Sequence, residues 1–143
     1  MTVSTRGRYA LRVLTDLAEH NGDNYIPLKD IVARQEISQK YLESIMADMT
    51  KSGFLDGQHG KGGGYKLKRS PDEITVFEVL QTTEGDMAPI ACLSAAAKPC
   101  ARAAECRTLP MWEKFYEITR DYFSGITIAD LAQTDLNGGN YVI

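Results

Sequence analysis

Several features that define common classes of protein are missing from this chain of 143 residues. No apolar run approaches the roughly 20 residues that a membrane-spanning helix needs, and residues 1–6 lack the hydrophobic core of a secretion signal. The chain has only three cysteines, and an odd number argues against a disulfide framework. We therefore expect a cytoplasmic protein of one domain, or of one domain with an appendage.

The sequence also lacks the signatures of an enzyme. It shows no Ser/His/Asp set and no acid–base pair beside a motif, and no Gly-Lys-Ser/Thr follows the glycine-rich segment 60–64 to make a phosphate-binding loop. His20 and His59 are far from the cysteines, and the cysteines lack the close pairs that structural zinc sites use. Enzymes and structural zinc proteins are therefore poor candidates.

An excess of positive charge is absent too, since the net charge is −3. The charge is unevenly distributed, however. Residues 1–70 carry 11 Lys and Arg against 8 Asp and Glu, whereas residues 71–143 carry 5 against 11. The basic half is the candidate nucleic-acid face, and the acidic half should point away from phosphates. The asymmetry alone adds little, because the charges of two halves often differ by chance.

What the first half does contain is an ordered series of helix signals. Apolar residues at helical spacing predict a first helix over residues 7–20. Pro27 suits the first position of a second helix, and Ser38 is placed to cap a third. Gly53 is expected to end this third helix. Its predicted buried stripe has the spacing i, i+3, i+4, i+7 and consists of Leu42, Ile45, Met46 and Met49.

Two short strands with a glycine-rich turn between them follow the third helix. Phe54 and Leu55 begin the first strand, and residues 65–68 alternate apolar and basic side chains as its partner. Four glycines lie within residues 60–64, so the backbone of this turn can approach another surface closely. The order of helix, turn, helix and basic hairpin predicts a winged helix-turn-helix domain that binds DNA.

A recognition helix places polar side chains from its first turns against base edges in the major groove. In the third helix the side chains so placed are Gln39, Lys40, Glu43 and Ser44. His59 and Lys61 lie at the tip of the hairpin, which commonly reaches the minor groove or the phosphate backbone. A solvated face is the alternative for the helix taken alone, but the complete series of elements favours DNA binding.

The second half is predicted to hold three more helices and an irregular segment. Thr75 is placed to cap a helix, and residues 84–107 lack periodicity and indicate a structured loop. Residues 108–123 form a longer helix, and Thr127 caps a last short one. The long helix carries large apolar residues nearly all round, so it needs burial on two sides. In so small a chain the second side is most simply a partner subunit, which predicts a homodimer.

All three cysteines lie in the predicted loop, in the pattern C-x7-C-x5-C formed by Cys92, Cys100 and Cys106. Thiolates are the usual ligands of iron–sulfur clusters. The cations among them would favour thiolates and offset the charge of a cluster; they are Lys98, Arg102 and Arg107. Ligation of a metal or a cluster is the first interpretation. Redox-active thiols without a metal and inert packing cysteines are the alternatives.

Short motifs spread over residues 4–131 carry a specific resemblance to a known family. They are GRYA at 7–10, PL at 27–28, IS at 37–38, YLE at 41–43, GKGGGY at 60–65, LPMW at 109–112 just after the cysteines, and ITIADL at 126–131. The chain resembles the Rrf2 family of winged-helix regulators. The resemblance implies a homodimer on a pseudo-palindromic operator, with the long helix as the dimer contact. It also implies that Gln39, Lys40, Glu43 and Ser44 lie at the major groove, and that the wing position of His59 can enter the minor groove.

The resemblance further implies an iron–sulfur cluster, 2Fe–2S or 4Fe–4S, on Cys92, Cys100 and Cys106. A fourth ligand is unassigned. Leu109 stands where some members have a histidine, and Arg8 stands where others use an acid near the N-terminus of the partner chain. An open or exogenous fourth site is one possibility, and the nearby candidate side chains are Glu84, Asp86 and Glu105.

We therefore predict a mostly α-helical, dimeric winged helix-turn-helix regulator that binds double-stranded DNA and is not an enzyme. The expected organisation is a DNA-binding domain over 1–83, a sensor loop over 84–107, dimerisation helices over 108–131 and a tail over 132–143. Occupancy or redox state of the cluster would set the affinity for DNA. The alternatives are a cluster-free regulator that responds to a small molecule, thiol oxidation or a protein partner, and a winged-helix module that binds proteins instead of DNA.

Overall fold

The computed structural model describes residues 2–20, 22 and 24–136, so residues 137–143 of the predicted tail lie outside the described part. This part contains six α-helices and one hairpin. Helices α1, α2 and α3 span Thr5–Glu19, Leu28–Gln35 and Gln39–Lys51, and strands β1 and β2 span Leu55–Gln58 and Gly64–Leu67. Helices α4, α5 and α6 span Val76–Glu84, Leu109–Ser124 and Ile128–Ala132. The predicted fold, mostly α with a β-hairpin wing, is confirmed.

Helices α1, α2 and α3 pack around one apolar core. Three side chains of α1 (Val13, Leu14 and Leu17) and Ile31 of α2 are at most 1% exposed. The predicted stripe of α3 is buried in the same cluster and consists of Leu42, Ile45, Met46 and Met49. Full burial of one such side chain stabilises the fold by about 1.5–3 kcal/mol. The stripe therefore fixes which face of α3 points outward.

The connection between α2 and α3 is a tight turn. Glu36 has a φ of 54°, in the left-handed region, and Ile37 after it is buried. The Ser38 hydroxyl accepts a hydrogen bond from the Tyr41 backbone N–H at 3.3 Å, as predicted for a cap. Pro27 precedes α2 instead of being its first residue, because its backbone is still extended after Ile26 pairs with the wing.

The wing is an antiparallel hairpin in which Leu55 pairs with Leu67 and Gln58 with Gly64. Ile26 extends it on one side, since Ile26 and Tyr65 exchange backbone hydrogen bonds of 2.8 and 2.9 Å. Gly64 has a φ of 146°, and a Cβ at this position would lie 2.1 Å from the Ile26 carbonyl oxygen. Glycine is therefore required where the wing meets the segment that leads into α2.

An ion pair between the buried Asp16 and the partly exposed Arg34 joins α1 to α2. Asp16 is 2% exposed, and its carboxylate accepts hydrogen bonds from Arg34 Nη2 at 2.7 Å, Arg34 Nε at 2.9 Å and Gln35 Nε2 at 2.8 Å. Burial alone would raise the pKa of Asp16. The hydrogen bonds and the positive charge of Arg34 outweigh burial, so the pKa of Asp16 lies below its ordinary value.

The remaining helices extend this core and build a second cluster beside it. Ile128 of α6 belongs to the first cluster. Val76, Leu80 and Met87 form the second, against which Tyr116 and Phe123 of α5 pack. As predicted, α4 and α6 begin at capping threonines, Thr75 and Thr127. In the part of the chain described, no helix combines the length and apolarity that crossing a membrane requires.

Candidate nucleic-acid interface

The outward face of α3 carries the four side chains that were predicted to read DNA. Gln39, Lys40, Glu43 and Ser44 are all exposed, because the opposite stripe is held in the core. The Gln39 amide donates a hydrogen bond from Nε2 to Glu43 Oε1 at 3.1 Å. These two residues are one helical turn apart, so the pair presents an ordered polar surface before any ligand approaches.

Ser44 is held from another helix. Arg6, in the first turn of α1, donates from Nη2 to the Ser44 carbonyl oxygen at 3.0 Å and to Ser44 Oγ at 3.1 Å. The same nitrogen pairs with Asp48. Arg6 is separated from Ser44 by 38 positions, so no local pattern in the sequence indicated the contact. Arg6 is therefore a residue of this surface that the sequence analysis missed.

The wing lies beside the second half of α3, and a groove of about 760 Å³ separates the two. Glu43 and Lys51 of α3 line the groove together with His59 of the wing, and Lys29 lies at the same groove. His59 and Lys61 are exposed at the predicted tip. The structure thus brings Glu43 of the predicted helix residues and His59 of the predicted wing residues to one groove. Lys29 adds a cation that the sequence analysis did not single out.

Two of the three cationic side chains near the second strand of the wing make contacts within the protein. Lys66 Nζ lies 4.7 Å from the centroid of the Tyr25 ring. Arg69 donates to the Glu73 carbonyl oxygen at 2.9 Å and lies 3.4 Å from the Glu78 carboxylate. Lys68 is exposed. Lys66 and Arg69 therefore already have partners within the protein.

The cysteine loop, residues 85–108, contains two short 3-10 turns, Ala91–Leu93 and Ala103–Glu105. Asp86 fastens its first half. The carboxylate accepts hydrogen bonds from Ser94 Oγ at 2.6 Å and from the backbone N–H groups of Ala88 and Ala95, both at 2.9 Å. These bonds hold the pKa of Asp86 below its ordinary value. The loop is structured, as predicted.

The three thiols of this loop are accessible, but they do not lie together around one site. Cys92 and Cys100 are exposed and Cys106 is half-buried. Within residues 2–20, 22 and 24–136, no three Cys, His, Asp or Glu side chains lie close enough to hold one metal ion. A hydrogen bond with the Thr108 hydroxyl, together with backbone hydrogen bonds, lowers the pKa of Cys106. The donors thus fit an iron–sulfur cluster by their chemistry, although the loop as it stands does not place them around one point.

Two of the three candidates for a fourth ligand have structural partners. Glu84 accepts hydrogen bonds from the Ser4 backbone N–H at 3.0 Å and from Ser4 Oγ at 2.6 Å. Ser4 in turn caps α1 by accepting from the Gly7 backbone N–H at 3.0 Å. Asp86 holds the loop as described above. Glu105 is exposed in the second 3-10 turn.

Helix α5 presents an apolar stripe on its outer side. Its members follow the spacing i, i+4, i+7, i+11 and are between 41% and 56% exposed; they are Met111, Phe115, Ile118 and Tyr122. A different face of α5 packs on the second cluster through Tyr116 and Phe123. The helix thus has two apolar faces, of which one is covered within the described part of the chain.

Comparison with known proteins agrees with this architecture. The model of a family described as Rrf2, iron-dependent transcriptional regulator, matches residues 3–134. Protein rrf2 of Nitratidesulfovibrio vulgaris (strain Hildenborough) is 35% identical over 132 residues, which cover 92% of this chain and 87% of that protein. HTH-type transcriptional regulator IscR of Erwinia tasmaniensis is 32% identical over 131 residues, which cover 92% of this chain and 78% of IscR.

A solved structure shows the same fold. CymR, the global cysteine regulator of B. subtilis, has a TM-score of 0.76 and 28% sequence identity, with 94% of this chain and 99% of CymR covered. The relatives are named as transcriptional regulators, which are not enzymes, as the sequence analysis expected. Because the family model covers nearly the whole chain, this protein belongs to the Rrf2 family of transcriptional regulators.

Proposed function

We propose that this chain acts as a homodimer that reads a specific double-stranded DNA operator through α3 and the wing. The observation that carries the proposal is the groove that Glu43 on the exposed face of α3 and His59 near the wing tip both line. Base edges are read by Gln39, Lys40, Glu43 and Ser44. The minor groove or the phosphate backbone is contacted by His59 and Lys61.

The contacts of the reading residues suit base recognition. Gln39 uses one amide hydrogen for Glu43, which leaves its carbonyl oxygen and its second hydrogen for the two major-groove positions of an adenine. Lys40 is a donor for guanine acceptors or for phosphate. Glu43 accepts from cytosine, or repels a misplaced phosphate. The face therefore combines donors and acceptors, as sequence-specific reading requires.

The apolar stripe of α5 supports a second copy of the chain as the partner. A stripe of self-complementary apolar residues on one helix meets its own copy across a twofold axis, in an isologous contact. The two recognition helices would then face half-sites about 34–36 Å apart, one turn of DNA. The homodimer predicted from the sequence is thus retained in the proposal.

Sensing is assigned to the cysteine loop, where Cys92, Cys100 and Cys106 would hold an iron–sulfur cluster. Such a cluster supplies a redox-active link between three points of the loop. Asp86 holds the start of the loop, and Cys106 lies two residues before Thr108, which directly precedes α5. Closure of the loop would therefore act on the first turn of the helix that carries the dimer stripe, and so on the spacing of the recognition helices.

A second candidate is a regulator of the same fold that senses without a metal. The separation of the three thiols favours it, and the structural neighbour CymR is described as a cysteine regulator. Here oxidation of Cys106, a small molecule or a protein partner would set the order of the loop. The thiol of Cys106 suits oxidation because its lowered pKa enlarges the thiolate fraction.

Lys40→Ala and Lys61→Ala are each expected to weaken DNA binding. Lys61→Ala should do so by a similar factor on all sequences, because a phosphate contact carries no sequence information, and it should reduce the slope of log affinity against log salt by about one. Lys40→Ala should weaken binding most on the selected duplex, because Lys40 is placed at base edges. The measurement is fluorescence anisotropy on a duplex selected from a random pool, at several salt concentrations. Lys114→Ala on α5 is the matched control and should change nothing. Unchanged affinity in both variants, or binding that ignores salt, would contradict the assigned surface.

A variant with Cys92, Cys100 and Cys106 all replaced by Ala is expected to lose visible absorbance, iron and sulfide after anaerobic purification. Thiolates bind the iron of such clusters, so their removal leaves no ligands in the loop. The control replaces His20 and His59 by Ala, which should leave the iron content of the wild type unchanged. A colourless wild-type protein would favour the metal-free regulator, and iron retained by the triple variant would place the cluster elsewhere.

A further inference from the structure

The contact between Arg6 and α3 is placed among the DNA-reading residues. Arg6 touches the carbonyl oxygen and the hydroxyl of Ser44 and the carboxylate of Asp48, one helical turn further along α3. Ser44 is one of the four residues proposed to read base edges. The Arg6 guanidinium on α1 therefore holds Ser44 in place, although α1 is not part of the recognition element.

The ion pair in this contact contributes little to stability. The Arg6 side chain is 27% exposed and that of Asp48 is 53% exposed. Ion pairs at such exposure contribute little to folding, because water screens the charges and both side chains lose conformational freedom. The contact is better explained by what it does to the surface it holds.

The chemistry of the Arg6 and Ser44 side chains determines which of them donates the hydrogen bond between them. A guanidinium has donors and no acceptor, whereas a hydroxyl has one hydrogen and two lone pairs. Ser44 Oγ accepts from Arg6, so its own hydrogen is available for another group. Among the described residues, no acceptor takes that hydrogen. Ser44 is thus left as a donor on the exposed face of α3.

We propose that Arg6 is a positioning residue that holds Ser44 as a hydrogen-bond donor, so that Ser44 selects a purine through its N7 atom. N7 is the major-groove acceptor that adenine and guanine share and that pyrimidines lack. Asp48 completes the arrangement, because its negative charge keeps the guanidinium on the protein instead of on a phosphate. This inference rests on the proposed function, since it needs α3 to lie in the major groove.

The test uses the duplex that the full-length protein selects from a random pool, with each purine replaced in turn by its 7-deaza analogue. The wild type is expected to lose affinity by about three- to tenfold at one Ser44-dependent position of the half-site, the value of one hydrogen bond. Ser44→Ala should bind the natural duplex and the duplex with the 7-deaza purine at that position with equal affinity. Arg6→Gln should lose most of the same discrimination and keep the salt slope of the wild type.

Two further variants test whether Arg6 acts by positioning Ser44 and not simply through its positive charge. Arg8→Gln removes an equal charge from the same turn of α1, where Arg8 bonds to Thr5 at 3.1 Å, and it should discriminate like the wild type. Asp48→Asn loosens Arg6 without altering α1 and should reduce the discrimination. It also tests the proposal if Arg6→Gln does not fold.

Three results would overturn the inference. The first is a wild type that is insensitive to every 7-deaza replacement. The second is full discrimination in both Arg6→Gln and Asp48→Asn. The third is a salt slope that falls by about one in Arg6→Gln, because Arg6 would then contact a phosphate. If the wild type selects no sequence from the pool, the proposed function itself fails, which is a different outcome.

Discussion

An Ile118→Asp variant is expected to be a folded monomer that binds its operator at least about a hundredfold more weakly than the wild type. Ile118 is 56% exposed in the single chain, so the protomer loses little when it is replaced. In a dimer the new carboxylate would be buried in the apolar contact with no partner, which is strongly unfavourable. Without the dimer, the gain from engaging two half-sites together, about 10²–10⁴ in affinity, is lost.

Sedimentation analysis measures the oligomeric state in this experiment, fluorescence anisotropy measures operator affinity, and circular dichroism verifies the fold. Ser124→Asp is the matched control, because it adds the same charge to α5 at an exposed position away from the stripe. The control should remain dimeric and bind normally. A wild type that is already monomeric, or an Ile118→Asp variant that still dimerises, would show that the stripe is not the contact between subunits.

The salt dependence of DNA binding is a second measurement that tests the Ile118→Asp variant. A monomer engages one half-site and so releases about half as many counterions as the dimer. The slope of log affinity against log salt should therefore fall to about half. A partly unfolded protein would instead show reduced binding with altered circular dichroism, so the two causes of weak binding are separable.

The features that the sequence predicted correctly depend on local chemistry. The stripe of Leu42, Ile45, Met46 and Met49 has the period of a helix, and burial follows from that period. Thr75 and Thr127 are three positions before an acid, Glu78 and Asp130, which is the spacing of a capping box. Such signals act within one turn of the chain and need no knowledge of the tertiary fold.

The features that the sequence did not predict join distant segments. Arg6 meets Ser44 from 38 positions away, and Lys66 lies over the ring of Tyr25, so it is not simply one more charge on the wing. A charged residue carries no periodic signal of its partner, and its role depends on which neighbour the fold supplies. The contacts of Lys66 and Arg6 could therefore be found only from the fold.

The cysteines illustrate the same limit within one segment. Their closeness in sequence predicted a shared ligand, but the irregular backbone of the loop does not gather them in the described part of the chain. Periodicity defines a face of a helix, whereas a loop has no repeat that relates spacing to direction. Spacing alone could indicate which residues are candidates without showing how they are arranged.

Asp16→Asn is expected to lower the free energy of unfolding by about 1–3 kcal/mol at pH 7, since it leaves the hydrogen bonds of a buried side chain incomplete. An asparagine in this place keeps the shape, but its NH2 group faces donors of Arg34 and Gln35, so at least one hydrogen bond is lost. Asp48→Asn is the matched control. It breaks an Arg–Asp pair at an exposed position, so its effect should stay below about 1 kcal/mol.

The pH dependence of the Asp16 effect has a definite sign. The pKa of Asp16 is lowered in the folded chain, so its stabilising contribution is complete above the unfolded pKa of about 3.9 and is lost as the pH falls through the folded pKa. The wild-type advantage over Asp16→Asn should shrink as the pH falls below about 4. Urea unfolding at one fixed protomer concentration measures it, because the proposed subunit association would also contribute to stability. An advantage that does not shrink below about pH 4, or one smaller than that over Asp48→Asn at pH 7, would mean that the Asp16–Arg34 pair is not what joins α1 to α2.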